Sequence, residues 1–321
     1  MRTSIHGSAP AVPDDAAVVL DGLTKRYGDR TVVDRLTMHI PRGAVAGFVG
    51  PNGAGKTTAM AMLLGLVRPT GGTARVLGQP VTHPARYLRR VGALIEGPGF
   101  YPALTGVENL RVLAALGGHD EGRIPLVLDQ VGLAGRGGDR FRAYSLGMKQ
   151  RLGIAAALLG DPELVVLDEP SNGLDPAGMA EIRRLVAEIA AGGRTVLLSS
   201  HLLGELEQVC DWLLVLDRGV LRYQGSTRAL TARAGCWLTV ATEHPGDTER
   251  LLALLVAEGL RARRQGGEVV VEVPAEEADT GPAAGARINR LAYADGLVLA
   301  ELHRTRASLE DQFLSMLGGA G

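Results

Sequence analysis

The chain has 321 residues, 46% of them hydrophobic and 21% charged, with a formal net charge of −1 at pH 7. These proportions allow a large core and two domains, and they exclude a disordered chain. The near-neutral balance supplies no global field for nucleic acid or an acidic membrane surface, and the two cysteines, Cys210 and Cys236, match neither a C-x-x-C nor a zinc spacing. They read as small buried hydrophobes in a reducing compartment.

No uninterrupted apolar run approaches the roughly 20 residues of a membrane helix, and the first residues lack a charged-then-apolar secretion pattern, so a cytoplasmic protein is expected. Residues 1–16, rich in Ala, Pro, Asp and Ser, read as a loose tail. Across Gly22 to Ile40, the apolar positions Leu23, Val32, Leu36, Met38 and Ile40, with Leu20 before them, predict an antiparallel β edge.

"AVAGFVGPNGAGKTTAMAMLLGL", Ala44 to Leu66, combines an apolar strand, a glycine-rich turn and a helix pattern whose apolar positions are Met60, Leu63, Leu64 and, just beyond, Val67. The turn spells G-x-x-x-x-G-K-T from Gly50 through Pro51, Asn52, Gly53, Ala54, Gly55 and Lys56 to Thr57. Such a loop binds nucleotide because its glycines let successive N–H groups curl around a β-phosphate, while Lys56 reaches the β and γ oxygens and the Thr57 hydroxyl ligates Mg²⁺. Lysine is scarce, occurring at Lys25, Lys56 and Lys149, which argues against a chance match.

Residues 98–155 read mainly as helices, at Leu104 to Leu116, Ile124 to Val131 and Met148 to Leu159. Within "AYSLGMKQRLGIAAALL", the small turn Ser145-Leu146-Gly147-Met148 directly precedes an apolar helical pattern. The Ser145 hydroxyl, Gly147 and the unpaired amides of a helix start make a second anion site.

In "PELVVLDEPSNGLDP" the apolar run Leu164 to Leu167 ends in Asp168 and Glu169. A parallel strand delivers ligands at its carboxyl end, beside the phosphate loop. Asp168 can there hold Mg²⁺ through a water, and Glu169 can polarise the water that attacks the γ-phosphate. Thr195 to Leu198 is another buried strand, followed by His201, whose neutral imidazole can hydrogen-bond the γ-phosphate or that water; a lone histidine there is more often a helix-start residue, and the other motifs favour the first reading. Leu213–Leu216 and Val220–Tyr223 flank Asp217-Arg218-Gly219, a hairpin signal.

After Gly225 the pattern predicts strand 237–242, helix 247–258, strands 261–264 and 268–273, helix 283–294, strand 297–303 and helix 308–317. The order βαββαβ predicts a small ferredoxin-like α+β domain over 226–321. Ser308 and Asp311 cap the last helix, whose Leu309, Phe313 and Leu317 share a face. Phe313 then packs in the core or contacts another subunit.

Together, from Val18 to Gly225, these motifs resemble the ATP-binding subunit of an ABC transporter. The resemblance implies an ATPase of α/β class. Its fold would be a RecA-like P-loop core over 17–225 with an antiparallel β edge and a helical subdomain, about 98–155, that docks on a separate membrane permease. Gly50 to Thr58, including Thr58, correspond to the phosphate loop, and Leu164 to Glu169 to the magnesium strand. Tyr27 takes the place of the aromatic that stacks on adenine, Asn172 to Asp175 that of the loop following the acids, and His201 that of the switch histidine. ATP and Mg²⁺ are the implied ligands, with Lys56, Glu169 and His201 catalytic.

Tyr144, Ser145, Leu146, Gly147 and Met148 stand where the family usually has Leu-Ser-Gly-Gly-Gln, so Leu replaces the first glycine and Met the glutamine. In the family this turn contacts ATP held by the opposite subunit, which implies a head-to-tail homodimer around two ATP molecules. Glu96 occupies the place of a Gln that contacts Mg²⁺; a carboxylate keeps the oxygen ligand and adds negative charge near the γ-phosphate. With Tyr-Ser-Leu-Gly-Met-Lys-Gln-Arg, this variant is similar to the subgroup that exports peptide antibiotics, including bacitracin-resistance and lantibiotic-immunity transporters. The alternative for Glu96 is a solvated loop acid in an ordinary drug or lipid exporter. Such a subunit would sit on the inner face of the cell membrane through its permease. The competing function is a non-transport ABC ATPase acting on ribosomes or nucleic acid. A single phosphate loop, the absence of a basic tail and an insert too short for a long coiled coil weigh against it, and no nucleic-acid partner is expected. An unrelated P-loop kinase would lack the signature turn.

Overall fold

The computed structural model describes residues 16–97, 99–233, 236–273 and 281–306; the expected tail up to residue 15 and the helix at 308–317, with Ser308, Leu309, Asp311, Phe313 and Leu317, lie outside the described residues. The chain divides into two compact units, Met1–Ser226 and Thr227–Gly321.

The first unit is built on two sheets. One is antiparallel, in the order β2-β1-β4-β5, from β1 (Val18–Tyr27), β2 (Arg30–Ile40), β4 (Gly71–Val76) and β5 (Gln79–Pro80). The other contains β3 (Val45–Val49), β6 (Val91–Leu94), β7 (Leu164–Leu167), β8 (Thr195–Ser200), β9 (Trp212–Asp217) and β10 (Val220–Ser226), in the order β10-β9-β3-β8-β7-β6. Its members pair in parallel from β9 to β6, and β10 adds an antiparallel edge to β9. β3, β7 and β8 are buried along their whole length, which is why they read as continuous apolar runs rather than alternating ones. Asp217 pairs with Val220 across Arg218-Gly219, both at positive φ, so the expected hairpin is closed by two residues.

Helices α1 (Lys56–Leu63), α2 (Gly106–Gly117), α3 (Ile124–Gln130), α4 (Leu146–Leu158), α5 (Pro176–Ala191) and α6 (Leu203–Glu207) complete this unit. α2 starts at a capping box: Thr105 accepts from the Glu108 amide at 3.2 Å, and Glu108 accepts from the Thr105 amide at 2.7 Å. Two expected boundaries move. α1 stops at Leu63, short of Val67, because Gly65 takes a φ of 70° and turns the chain out. α4 begins at Leu146 rather than Met148, because the Ser145 side chain accepts from the Met148 amide and draws the turn into the helix.

The second unit comprises α7 (Thr227–Arg233), β11 (Cys236–Thr242), α8 (Thr248–Ala257), β12 (Arg261–Gln265), β13 (Glu268–Val273), α9 (Gly281–Ala294) and β14 (Leu299–Arg306). Its four strands are antiparallel in the order β12-β13-β11-β14, the ferredoxin-like arrangement that βαββαβ implies. Val269, Val271 and Val273 point to one face and pack with Leu251, Leu255 and Ile288, whereas Glu272 on the other face is exposed. β14 begins two residues later than the 297–303 expected, since Leu297 closes the core after Gly296 turns at φ 71°.

Candidate functional site

Three adjacent parallel strands, β3, β8 and β7, end side by side, and their carboxyl ends bring five of the predicted site residues, Lys56, Thr57, Asp168, Glu169 and His201, together. β3 runs into the glycine loop, in which Gly53 and Gly55 have φ of 80° and 99°. These left-handed conformations suit glycine. A Cβ at Gly55 would stand 2.7 Å from the Val32 carbonyl oxygen, so β2 closes one side of the loop. Gly50, Ala54 and Gly55 are buried, whereas Pro51, Asn52 and Gly53 are exposed at its rim.

Lys56 opens α1 and is 5% exposed. Its Nζ donates to the Gly50 carbonyl at 2.6 Å and lies 3.6 Å from Glu169 Oε1. The other Glu169 oxygen, Oε2, is 3.1 Å from His201 Nδ1. The carboxylate therefore bridges the loop lysine and the histidine beyond β8. Glu169 has φ of 45°, an uncommon conformation for a residue with a side chain, and its N–H donates to Ser199 Oγ at 2.8 Å.

Thr57 Oγ1 donates to Asp168 Oδ2 at 2.8 Å, and Ser199 Oγ donates to Asp168 Oδ1 at 2.5 Å. A hydroxyl and a carboxylate in contact, all oxygen, are the donor set that a hard divalent cation takes, so these residues fit Mg²⁺. Thr58 follows on α1, half-buried. Ser199, wholly buried, was not singled out by the sequence; its signal is the pair Ser199-Ser200 closing an otherwise apolar strand. Ser171 and Glu205, 2.8 Å apart, were missed as well.

The sequence pattern that defines ABC transporters matches residues 33–172. The bacitracin transport ATP-binding protein BcrA of Enterococcus faecalis is 39% identical over 94% of this chain and 96% of its own length. The chain belongs to the ABC transporter ATP-binding family. It is also 40% identical, over 64% of its length and 91% of the relative's, to the lantibiotic transport ATP-binding protein SrtF of Streptococcus pyogenes. A solved structure of an ATP-binding subunit of an ABC transporter, 31% identical, superposes with a TM-score of 0.60 over 67% of this chain and 91% of that one. These relatives are transport proteins, and the ribosome or nucleic-acid alternative is not favoured.

Among the motifs of this ABC subunit, the signature turn is a helix N-terminus: Ser145 accepts from Met148 N–H at 3.3 Å, which leaves the Leu146 and Gly147 amides at the open end. Leu146, where the family has glycine, is 47% exposed and lies by the loop after β7, since a Cβ at Gly173 would come within 3.2 Å of its Cδ2. Tyr144 anchors the turn from behind, its buried hydroxyl donating to the Arg136 carbonyl at 2.7 Å; burial and the neighbouring Asp139 charge raise its pKa.

Other predicted residues stand apart from this cluster. Asp175 caps α5, accepting from Gly178 N–H at 2.9 Å. Tyr27 is 51% exposed, with the Lys25 ammonium 4.7 Å from its ring centre. Glu96 follows β6 at φ 57°, exposed, with no side-chain hydrogen bond or ion pair among the described residues. Cys210 is buried beneath β3, and burial pushes its thiol pKa far up, so it is a packing residue rather than a nucleophile. Among the described residues no helix is long and apolar enough to cross a membrane.

Proposed function

We propose that this subunit hydrolyses ATP to power a bacterial exporter of a drug, peptide antibiotic or lantibiotic, working as a homodimer on a separate membrane permease at the inner face of the cell membrane. The names of its relatives, bacitracin transport and lantibiotic transport proteins, support the cargo class. The observation that carries the chemistry is the placement of Glu169, with one oxygen by Lys56 and the other by His201, at the end of the strand beside the phosphate loop.

In this reading the loop amides and Lys56 hold the phosphates of ATP, and Tyr27 offers its exposed ring to the adenine. Thr57 and Asp168, with Glu96 as a further oxygen donor, would hold Mg²⁺, and the ion would supply neutralisation of phosphate charge. Glu169 takes a proton from the attacking water at its carboxylate as the β–γ phosphate bond breaks, and His201 orients that carboxylate. The open amides of Leu146 and Gly147, with Ser145 and Asp175, complete the site on the facing copy.

Glu169→Gln tests this reading. The variant should bind ATP, lose hydrolysis by on the order of 100-fold or more, and elute as a dimer on size exclusion in saturating ATP. A monomer under those conditions, or wild-type turnover, would overturn it.

A further inference from the structure

Glu205 sits on α6 behind the two loops that carry Glu169 and His201, and it belongs to no motif read from the sequence. Its Oε2 accepts the Ser171 hydroxyl at 2.8 Å and lies 3.4 Å from the Ser200 hydroxyl. Ser171 stands two residues beyond Glu169 on the loop leaving β7, and Ser200 is the residue before His201 at the end of β8. One carboxylate oxygen thus reaches both loops, close behind each member of the Glu169–His201 pair. Ser200 also accepts the Leu202 N–H at 2.9 Å, which fixes the turn around His201.

The other oxygen, Oε1, is sealed from solvent and meets no hydrogen-bond donor among the described residues. Nothing else among the described hydrogen bonds links the loop at Ser171 to α6.

We propose that Glu205 is a positioning residue for hydrolysis: by tying Ser171 and Ser200 together it keeps Glu169 Oε2 and His201 Nδ1 at their 3.1 Å separation. This rests on the assignment of Glu169 and His201 to hydrolysis made above. The phosphate loop lies on β3 and α1 and makes no hydrogen bond to Glu205 among the described residues, so nucleotide binding and positioning are separable.

The test is steady-state ATPase kinetics of the full chain with Mg-ATP, alongside thermal melting. Glu205→Ala should lower kcat by roughly 10- to 100-fold, the scale of a catalytic group displaced by about 1 Å, while KM for ATP stays within about two-fold. Glu205→Gln keeps an acceptor for Ser171 and should restore most of the rate. Ser171→Ala should reproduce the loss, and the double variant should be no worse than either single one, because both remove the same tie. A wild-type kcat in Glu205→Ala, a matching loss of ATP affinity, or additive losses in the double variant would each overturn the proposal. Should Glu205→Ala fail to fold, Ser171→Ala decides alone, and an unchanged kcat there sinks it. A wild-type chain without ATPase activity would bring down the proposed function itself; Glu169→Gln inactive with Ser171→Ala fully active would remove only the role of Glu205.

Discussion

Replacing Gly50 with alanine places a methyl group against the strand beside the phosphate loop. The new Cβ would lie 2.4 Å from the Leu216 carbonyl oxygen and 3.0 Å from the Ala54 Cβ. Relaxed contacts of carbon fall near 3.5 Å, so the loop or β9 must shift by on the order of 1 Å. β9 is pinned by β3 on one side and β10 on the other, so the loop is the part that gives. Overpacking of this kind costs about 1–3 kcal/mol, or roughly 2–4 °C of melting temperature per kcal/mol in a domain of this size. The functional effect is larger, because a 1 Å displacement of positioning groups costs on the order of 100-fold. Lys56 moves too, since its ammonium is anchored to the Gly50 carbonyl at 2.6 Å. Titration with a fluorescent ATP analogue, together with thermal melting, measures both quantities. A Gly50→Ala variant with wild-type affinity and melting temperature would refute the reasoning, for it would mean that the neighbours absorb a methyl group without moving the loop.

Glu96→Gln should keep ATP binding and measurable ATPase activity, because either side chain offers an oxygen ligand; complete loss of both would refute a simple ligand replacement. Stability should fall in mild acid through His39, which is 3% exposed. Its backbone N–H donates to Gln224 Oε1 at 2.8 Å, so Gln224 turns its amide nitrogen, a donor, to His39 Nδ1 at 3.0 Å, and that ring nitrogen must be unprotonated. Burial lowers the pKa below the ordinary 6.5. The folded chain then binds this proton less readily than the unfolded one: the contribution is complete above the unfolded value and is lost as pH falls toward the folded one, with a slope of at most about 1.4 kcal/mol per pH unit. Urea unfolding midpoints across that range should show the loss in the wild type and a flatter profile in His39→Leu; parallel profiles would contradict it.

Features fixed by neighbouring residues were legible in the sequence. The strand-loop-helix at Val45 to Leu63, the run Leu164 to Leu167 ending in two acids, and the Arg218-Gly219 turn each follow from local spacing, apolar runs or turn chemistry. Contacts made across the sheet were not. Ser199 reaches Glu169 over a separation of 30 residues and Ser171 reaches Glu205 over 34, and serine in a strand end or loop carries no pattern that announces a partner so far away. The helix after the signature turn was legible, but not that the turn itself is the first turn of α4, because the deciding bond, Met148 N–H to Ser145 Oγ, depends on the rotamer of one side chain. Likewise the phosphate loop's first glycine reads as a phosphate requirement, whereas its backbone neighbour is Leu216, 166 residues on by numbering.

Strand order explains why these distant residues meet. β8 lies between the strand of the phosphate loop and the strand of the acids, so residues at its end stand beside both. Ser199 turns to the side of the acids: one hydroxyl donates to Asp168 and accepts from the Glu169 amide. A residue with a side chain at φ 45° costs about 1–3 kcal/mol, and such a conformation persists only where surrounding bonds hold it. The hydrogen bond from the Glu169 backbone N–H to Ser199 is one such restraint, and the side chain of the residue so held faces Lys56 with one oxygen and His201 with the other. The strain therefore sits at the residue assigned to proton abstraction, and what maintains it is the end of the strand that also delivers His201.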